Sequence, residues 1–167
     1  MSTVLAVTTY DVSVALHVMA VMVGFGAPFA FPVIQMTAER HFPRQLPFAW
    51  NVILKTERGI ATPLTTIVGL TGIYQWQHAN WDMGENQWLG IGFGLYLLIF
   101  VFALTILRRS EHAALDAAEK MVAGAPASGD IELSDEYRQA TRVVRLSGPV
   151  LALTTLFIVY LMVVKPF

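Results

Sequence analysis

Within the run Tyr10–Ile34 (YDVSVALHVMAVMVGFGAPFAFPVI), the single ionisable residue in the interior is His17. An ionisable side chain inside so apolar a stretch is by default a functional-site hypothesis, because it costs free energy to keep there. Val21, Gly24 and Pro28 follow it at i+4, i+7 and i+11, so all four share one helix face. That face is small and nearly flat below the imidazole. It suits the close approach of another helix, or a planar ligand such as a porphyrin. Seven residues in from Tyr10, His17 is expected about 10 Å below the edge of the run.

A b-type haem between helices needs axial ligands on facing helices at one depth. His41 and His112 fall in polar loops, and His78 falls at the end of the next apolar run. His78 therefore suits a haem edge or a propionate better than a second axial bond. The plainer alternative is a neutral His17 hydrogen-bonded to a threonine or serine hydroxyl of a neighbouring span. Copper(I) favours thioether and imidazole ligands, but Met19 and Met22, at i+2 and i+5, lie off the histidine's face and read as lipid-facing or packing residues.

Elsewhere the chemistry is thin. Glu57 and Arg58, in Thr56-Glu57-Arg58, stand where a polar loop meets an apolar run and read as an interfacial ion pair or an anion contact. No nucleophile–base arrangement, phosphate loop, zinc motif or carboxylate pair is recognisable. The chain has no cysteine, which excludes disulfides, thiolate metal sites and thioether-linked haem.

The elements that must position these residues are membrane spans. The 167 residues are 55% hydrophobic and 14% charged, with a mean hydropathy of +0.56, too apolar for an ordinary soluble domain. The length suits one membrane domain. A net charge of −1 points to no nucleic-acid partner. Met1–Thr9 has no basic stretch, so the first apolar run is expected to be a retained span. Four runs near the ~20 residues that cross a bilayer are Tyr10–Ile34, Ile60–Gln77, Trp88–Leu107 and Leu146–Val164. They predict an all-α, polytopic four-helix membrane bundle forming one domain over 1–167.

Ten of the eleven basic residues fall between the first and second runs or between the third and fourth. The excess of basic residues in cytoplasmic loops then places both loops in the cytoplasm and both termini outside. Trp76, Trp81 and Trp88 cluster about the acidic loop His78–Gln87, as expected of an interfacial aromatic belt. Thr65, Gly69 and Gly72 share a face, and Gly90 and Gly94 form a small-xxx-small pair; both read as helix packing.

The first basic loop contains Pro43 and Pro47 and is expected to run along the surface. The second is more structured. RRSEHAALDAAEKMVAG continues the third span, with Asp116 and Lys120 paired at i, i+4 and Gly124 as its stop. Ala125–Asp130 is a flexible break, and Ser134 then caps a helix whose first turn carries Asp135 and Glu136. Arg138, Arg142 and Arg145 form a stripe on it, read as solvated or as a docking surface.

ALHVMAVMVGFGAPFAFPVI, TERGIATPLTTIVGLTGIYQW and the ending LMVVKPF together resemble a small membrane family that includes the HemJ-type protoporphyrinogen oxidases. A related group of bacterial integral membrane proteins of unknown function shares the layout, as does the CopD-type copper-resistance domain. The resemblance implies a multi-pass protein of the bacterial inner membrane, with His17 as the counterpart of a haem-ligating histidine. It makes His17, Gly24, Thr62 and Thr65 the candidate cofactor-binding residues and haem b the candidate cofactor. The HemJ-type enzymes also use a lysine in the third span, and Trp88–Leu107 holds no lysine or histidine.

Two functions follow as expectations. One is haem or porphyrin binding through His17 with a redox or haem-handling role. The other is a non-catalytic membrane subunit or assembly factor that docks on partner membrane subunits or on a second copy.

Overall fold

The computed structural model describes residues 7–126, 128 and 131–166. Ala127, Gly129 and Asp130 of the expected break, Phe167 of the terminal motif and residues 1–6 lie outside them. The described residues are helical, with connecting turns.

Helix α1 (Thr9–Gly26) starts at a capping box: the Asp11 amide donates to Thr8 Oγ1, and the Thr8 amide donates to the Asp11 carboxylate. A 3-10 turn, Ala27–Ala30, follows, and then α2 (Phe31–His41). Pro28 and Pro32 supply no amide hydrogen there, which suits a tightened turn between two helical stretches. Helix α3 (Leu46–Thr56) leads through a π-turn, Glu57–Ala61, into α4 (Thr62–Ala79). Helix α5 (Gln87–Phe102) leads through a second π-turn, Ala103–Leu107, into α6 (Arg108–Ala123). Helix α7 (Asp135–Val164) is unbroken through Pro149 and starts at the expected Ser134 cap.

Among the described residues three helical rods are long and apolar enough to cross a membrane: Thr9–His41, Gln87–Ala123 and Asp135–Val164. Large apolar side chains on them stand exposed, Met22, Leu98 and Val163 among them, as a lipid-facing surface requires. Met19 is exposed as well, as expected of a methionine off the histidine's face. The fourth expected span, Ile60–Gln77, lies largely in α4, which is not among the three. Its threonines, glutamines and histidine dilute its hydropathy, and it lies alongside α1 instead.

Helix α3, where a surface loop was expected, is the centre of the tightest core. Leu46, Trp50 and Ile53 are buried there against Ala114, Ala117 and Ala118 of α6 and Tyr137 of α7. Three alanines at i, i+3 and i+4 let the helices approach closely. Pro47 is accommodated because it sits in the first turn, where its missing amide hydrogen costs nothing. The opposite end holds a smaller cluster of Trp88, Leu89 and Leu161. There Trp76 Nε1 donates to the Trp81 carbonyl at 2.8 Å, and Lys165 Nζ lies 4.8 Å from the Trp81 ring and 5.3 Å from the Trp88 ring. Trp88 is thus buried in a packed cluster rather than laid out in a belt.

Several expected pairings resolve differently. Lys120 bonds Glu136 of α7 at 2.8 Å rather than Asp116, and that bond raises its pKa. Arg145 leaves the stripe to pair with Glu39 at 2.9 Å. An added Cβ at Gly90 or Gly94 would meet nothing within 4 Å, whereas at Gly92 it would come within 2.6 Å of Met162. The close helix approach on α5 therefore uses the intervening glycine.

Candidate functional site

His17 Nδ1 lies 2.9 Å from Thr71 Oγ1 on α4. That hydroxyl has one proton, and it is directed to the Ile67 carbonyl at 2.7 Å. With the hydroxyl proton used in that way, the imidazole is assigned as donor from Nδ1, with the lone pair on Nε2. Around it the face of α1 is closed by α4. Gln75 Nε2 donates to the Ser13 carbonyl at 3.2 Å, and Gly72 lets the His17 ring lie against its backbone. A Cβ added to Gly24 would come within 2.9 Å of Leu64 Cβ. Of the two uses open to this small face, close helix approach is the one it makes here. His78 is stacked between Tyr10 and Tyr74, with centroids 5.2 and 5.6 Å away.

A chamber of about 600 Å³ opens further along, toward the basic end, a volume within the range of small-molecule sites. Of the four candidate cofactor-binding residues, Gly24, Thr62 and Thr65 line it and His17 does not. Its walls are chiefly apolar, with Phe25, Phe29, Trp50 and Phe100 among them. Thr65 Oγ1 is spent on the Ala61 carbonyl at 2.8 Å.

Both π-turns face this chamber: Glu57 and Ala61 from one, and Ala103, Leu104 and Leu107 from the other. The first has a visible cause. Pro63 offers no amide hydrogen and its ring crowds the carbonyl four residues back; the Thr62 amide reaches instead to Glu57, five back. In the second, Thr105 Oγ1 donates to the Val101 carbonyl, and the Arg108 amide reaches back five residues to Ala103. Single π-turns of this kind occur frequently at functional sites.

The first π-turn delivers a group that spacing did not reveal. Glu57 is buried beside the carboxyl of Glu111, which is only 3% exposed. The apolar stretch of the α5–α6 rod ends at Leu107, and α6 beyond it is polar, so Glu111 belongs to the basic end. Burial, then the Glu57 carboxyl beside it, pushes the Glu111 pKa up to about 9, against a smaller opposing pull from Arg108. Glu111 Oε2 has no hydrogen-bond partner. The expected Glu57–Arg58 ion pair is not what Glu57 makes: Arg58 is exposed, and Glu57 faces another acid.

A residue match decides the family at this point. A family model described as predicted integral membrane protein (DUF2269) matches residues 12–166. The chain belongs to that family. No curated protein and no solved structure matches it. The match takes in every element from α1 to α7, so the DUF2269 assignment covers the chamber, the carboxyl pair and His17 alike.

In this DUF2269 protein a second polar group closes the chamber's edge. Tyr137 donates to Glu39 Oε1 at 2.9 Å and accepts from Trp50 Nε1 at 3.0 Å. Gln35 donates to the same carboxylate oxygen at 2.9 Å, and Arg145 takes the other. Burial raises the Tyr137 pKa, so the phenol stays protonated as a donor. Glu39 is therefore satisfied on every side, whereas Glu111 is not. Among the described residues no group of three histidine, aspartate or glutamate side chains is arranged to hold a metal ion.

Proposed function

We propose that this protein binds a small molecule within the membrane-embedded bundle, in the chamber walled by the two π-turns. The chamber itself carries this reading: about 600 Å³ of apolar space with ionisable groups at one end. In this reading that end faces the cytoplasm, as the basic-residue pattern favours, α4 crosses as a fourth span, and the protein lies in a bacterial inner membrane, as the HemJ-type resemblance implies.

The absence of cysteine allows a direct test. Ala152 lines the chamber, while its neighbour Leu153 is 68% exposed on the lipid-facing surface. Ala152→Cys should react with a small water-soluble methanethiosulfonate, and Leu153→Cys only with an apolar reagent. Equal reactivity, or none at position 152, would remove the chamber as a binding site.

Haem b held by His17 is a second reading, in keeping with the resemblance to HemJ-type proteins. The tautomer favours it: an imidazole that donates from Nδ1 to a neighbouring oxygen and keeps the Nε2 lone pair has the arrangement of a metal-ligating histidine. His17 would hold the iron and orient it, and the haem would supply redox chemistry. A reduced-minus-oxidised spectrum of the purified protein should then show a Soret band that His17→Ala abolishes. A flat spectrum from haem-replete cells, or a band that survives the substitution, rejects this ligand.

A further inference from the structure

Glu111 lines the chamber, and its Oε2 is buried without a hydrogen-bond partner. An unpaired buried acceptor costs about 1–3 kcal/mol, and here a second carboxyl, that of Glu57, is set beside it. Burial and that neighbouring carboxyl together favour the protonated form of Glu111. The rest of the chamber offers little relief. Its lining holds three carboxyls, Glu39, Glu57 and Glu111, against two guanidinium groups, Arg40 and Arg145. Of these, Glu39 and Arg145 are already paired with each other. Aromatic rings at Phe25, Phe29, Phe100 and Trp50 provide faces that attract cations as well as apolar bodies. With no third ligating side chain to complete a metal site among the described residues, the chemistry suits N–H donors on an organic body.

We propose that the chamber binds an organic ammonium ion, its N–H groups seated on the carboxyl groups of Glu111 and Glu57 and its apolar body against the aromatic wall. The ammonium replaces the proton that Glu111 otherwise holds, and that proton leaves to water. This inference rests on the chamber being a binding site and names the ligand class it takes.

Equilibrium dialysis of the detergent-purified full chain with radiolabelled 4-phenylbutylammonium, against its uncharged counterpart 4-phenylbutanol, tests it. The ammonium should bind saturably and at least tenfold more tightly than the alcohol. Glu111→Gln and Glu57→Gln should each weaken the ammonium tenfold or more and leave the alcohol unchanged. Both substitutions relieve like-charge burial, so a melting temperature at or above wild type certifies the fold.

Equal binding of the two probes overturns the cation assignment while leaving the chamber in place, and so does ammonium affinity within twofold of wild type in both variants. No saturable ammonium binding also overturns it, and the thiol reactivity at position 152 then decides the chamber separately. Competition by phosphatidylethanolamine but not phosphatidylglycerol assigns the ammonium to a lipid headgroup; no competition by either assigns it to a free amine.

Discussion

At the residue scale, the decisive contrast is between two buried acids on one chamber wall. Glu39 has a guanidinium, a phenol and an amide around it; Glu111 has another acid and an empty oxygen. The sign of the resulting pH dependence follows directly. In the unfolded chain Glu111 ionises near its ordinary 4.5, whereas the folded protein holds the proton to about 9. Below pH 4.5 both states are protonated and nothing is lost; as pH rises from there to 9 the folded state loses stability steadily, then levels off. Thermal unfolding at pH 5, 7 and 9 should show this fall in the wild type and a shallower one in Glu111→Gln. At pH 9 the variant should be the more stable of the two. A parallel pair of curves would show that Glu111 ionises freely. None of this was legible in the sequence: positions 57 and 111 share no motif and no periodicity, and it is the packing of α6 against α3, which runs into the first π-turn, that brings them together. His17, by contrast, was conspicuous from hydropathy alone, and its bond to Thr71 was one of the two alternatives open to it.

At the element scale, the hydrophobic periodicity located the rods well and their irregularities poorly. A π-turn adds one residue to a helix without changing its composition, so no hydropathy pattern marks it; Pro63, two residues past the first, is the local trace. Helix α3 was obscured for another reason. Pro43 and Pro47 read as breakers, although Leu46, Trp50 and Ile53 already had helical spacing. Glycine roles separate in the same way, since sequence shows a small residue but not what faces it. Gly24→Leu should destabilise by about 1–3 kcal/mol, because its first added atom already meets Leu64 and α1 cannot retreat from α4 without losing their shared length. Gly94→Ala should be neutral or stabilise by up to ~1 kcal/mol, since helix propensity improves and nothing is struck. Thermal melts of the two variants check the pair; equal losses would mean that Gly94 is covered by something other than lipid.

For the whole molecule, the charge asymmetry and the family assignment agree on a membrane protein, and the sidedness is testable. Asp82→Cys and Ser128→Cys place single thiols in the acidic turn and the second basic loop of a chain with no other cysteine. An impermeant maleimide added to intact spheroplasts should label the thiol at 82 and reach the one at 128 only after lysis. Labelling of both from one side would mean that the α5–α6 rod, which alone separates them, does not cross. The overall plan was readable because basic residues and apolar runs segregate so fully along the chain. The chamber was not, because its wall is assembled from all seven helices and both π-turns, none of which encloses anything alone.

The position of Trp50 has an optical consequence. Three of the four tryptophans (Trp76, Trp81 and Trp88) sit at one end of the molecule, and Trp50 sits alone at the other, lining the chamber with its Nε1 held by Tyr137. Replacing the distant three with phenylalanine would leave one buried indole, so that the tryptophan emission of the whole protein would come from a single side chain on the chamber wall.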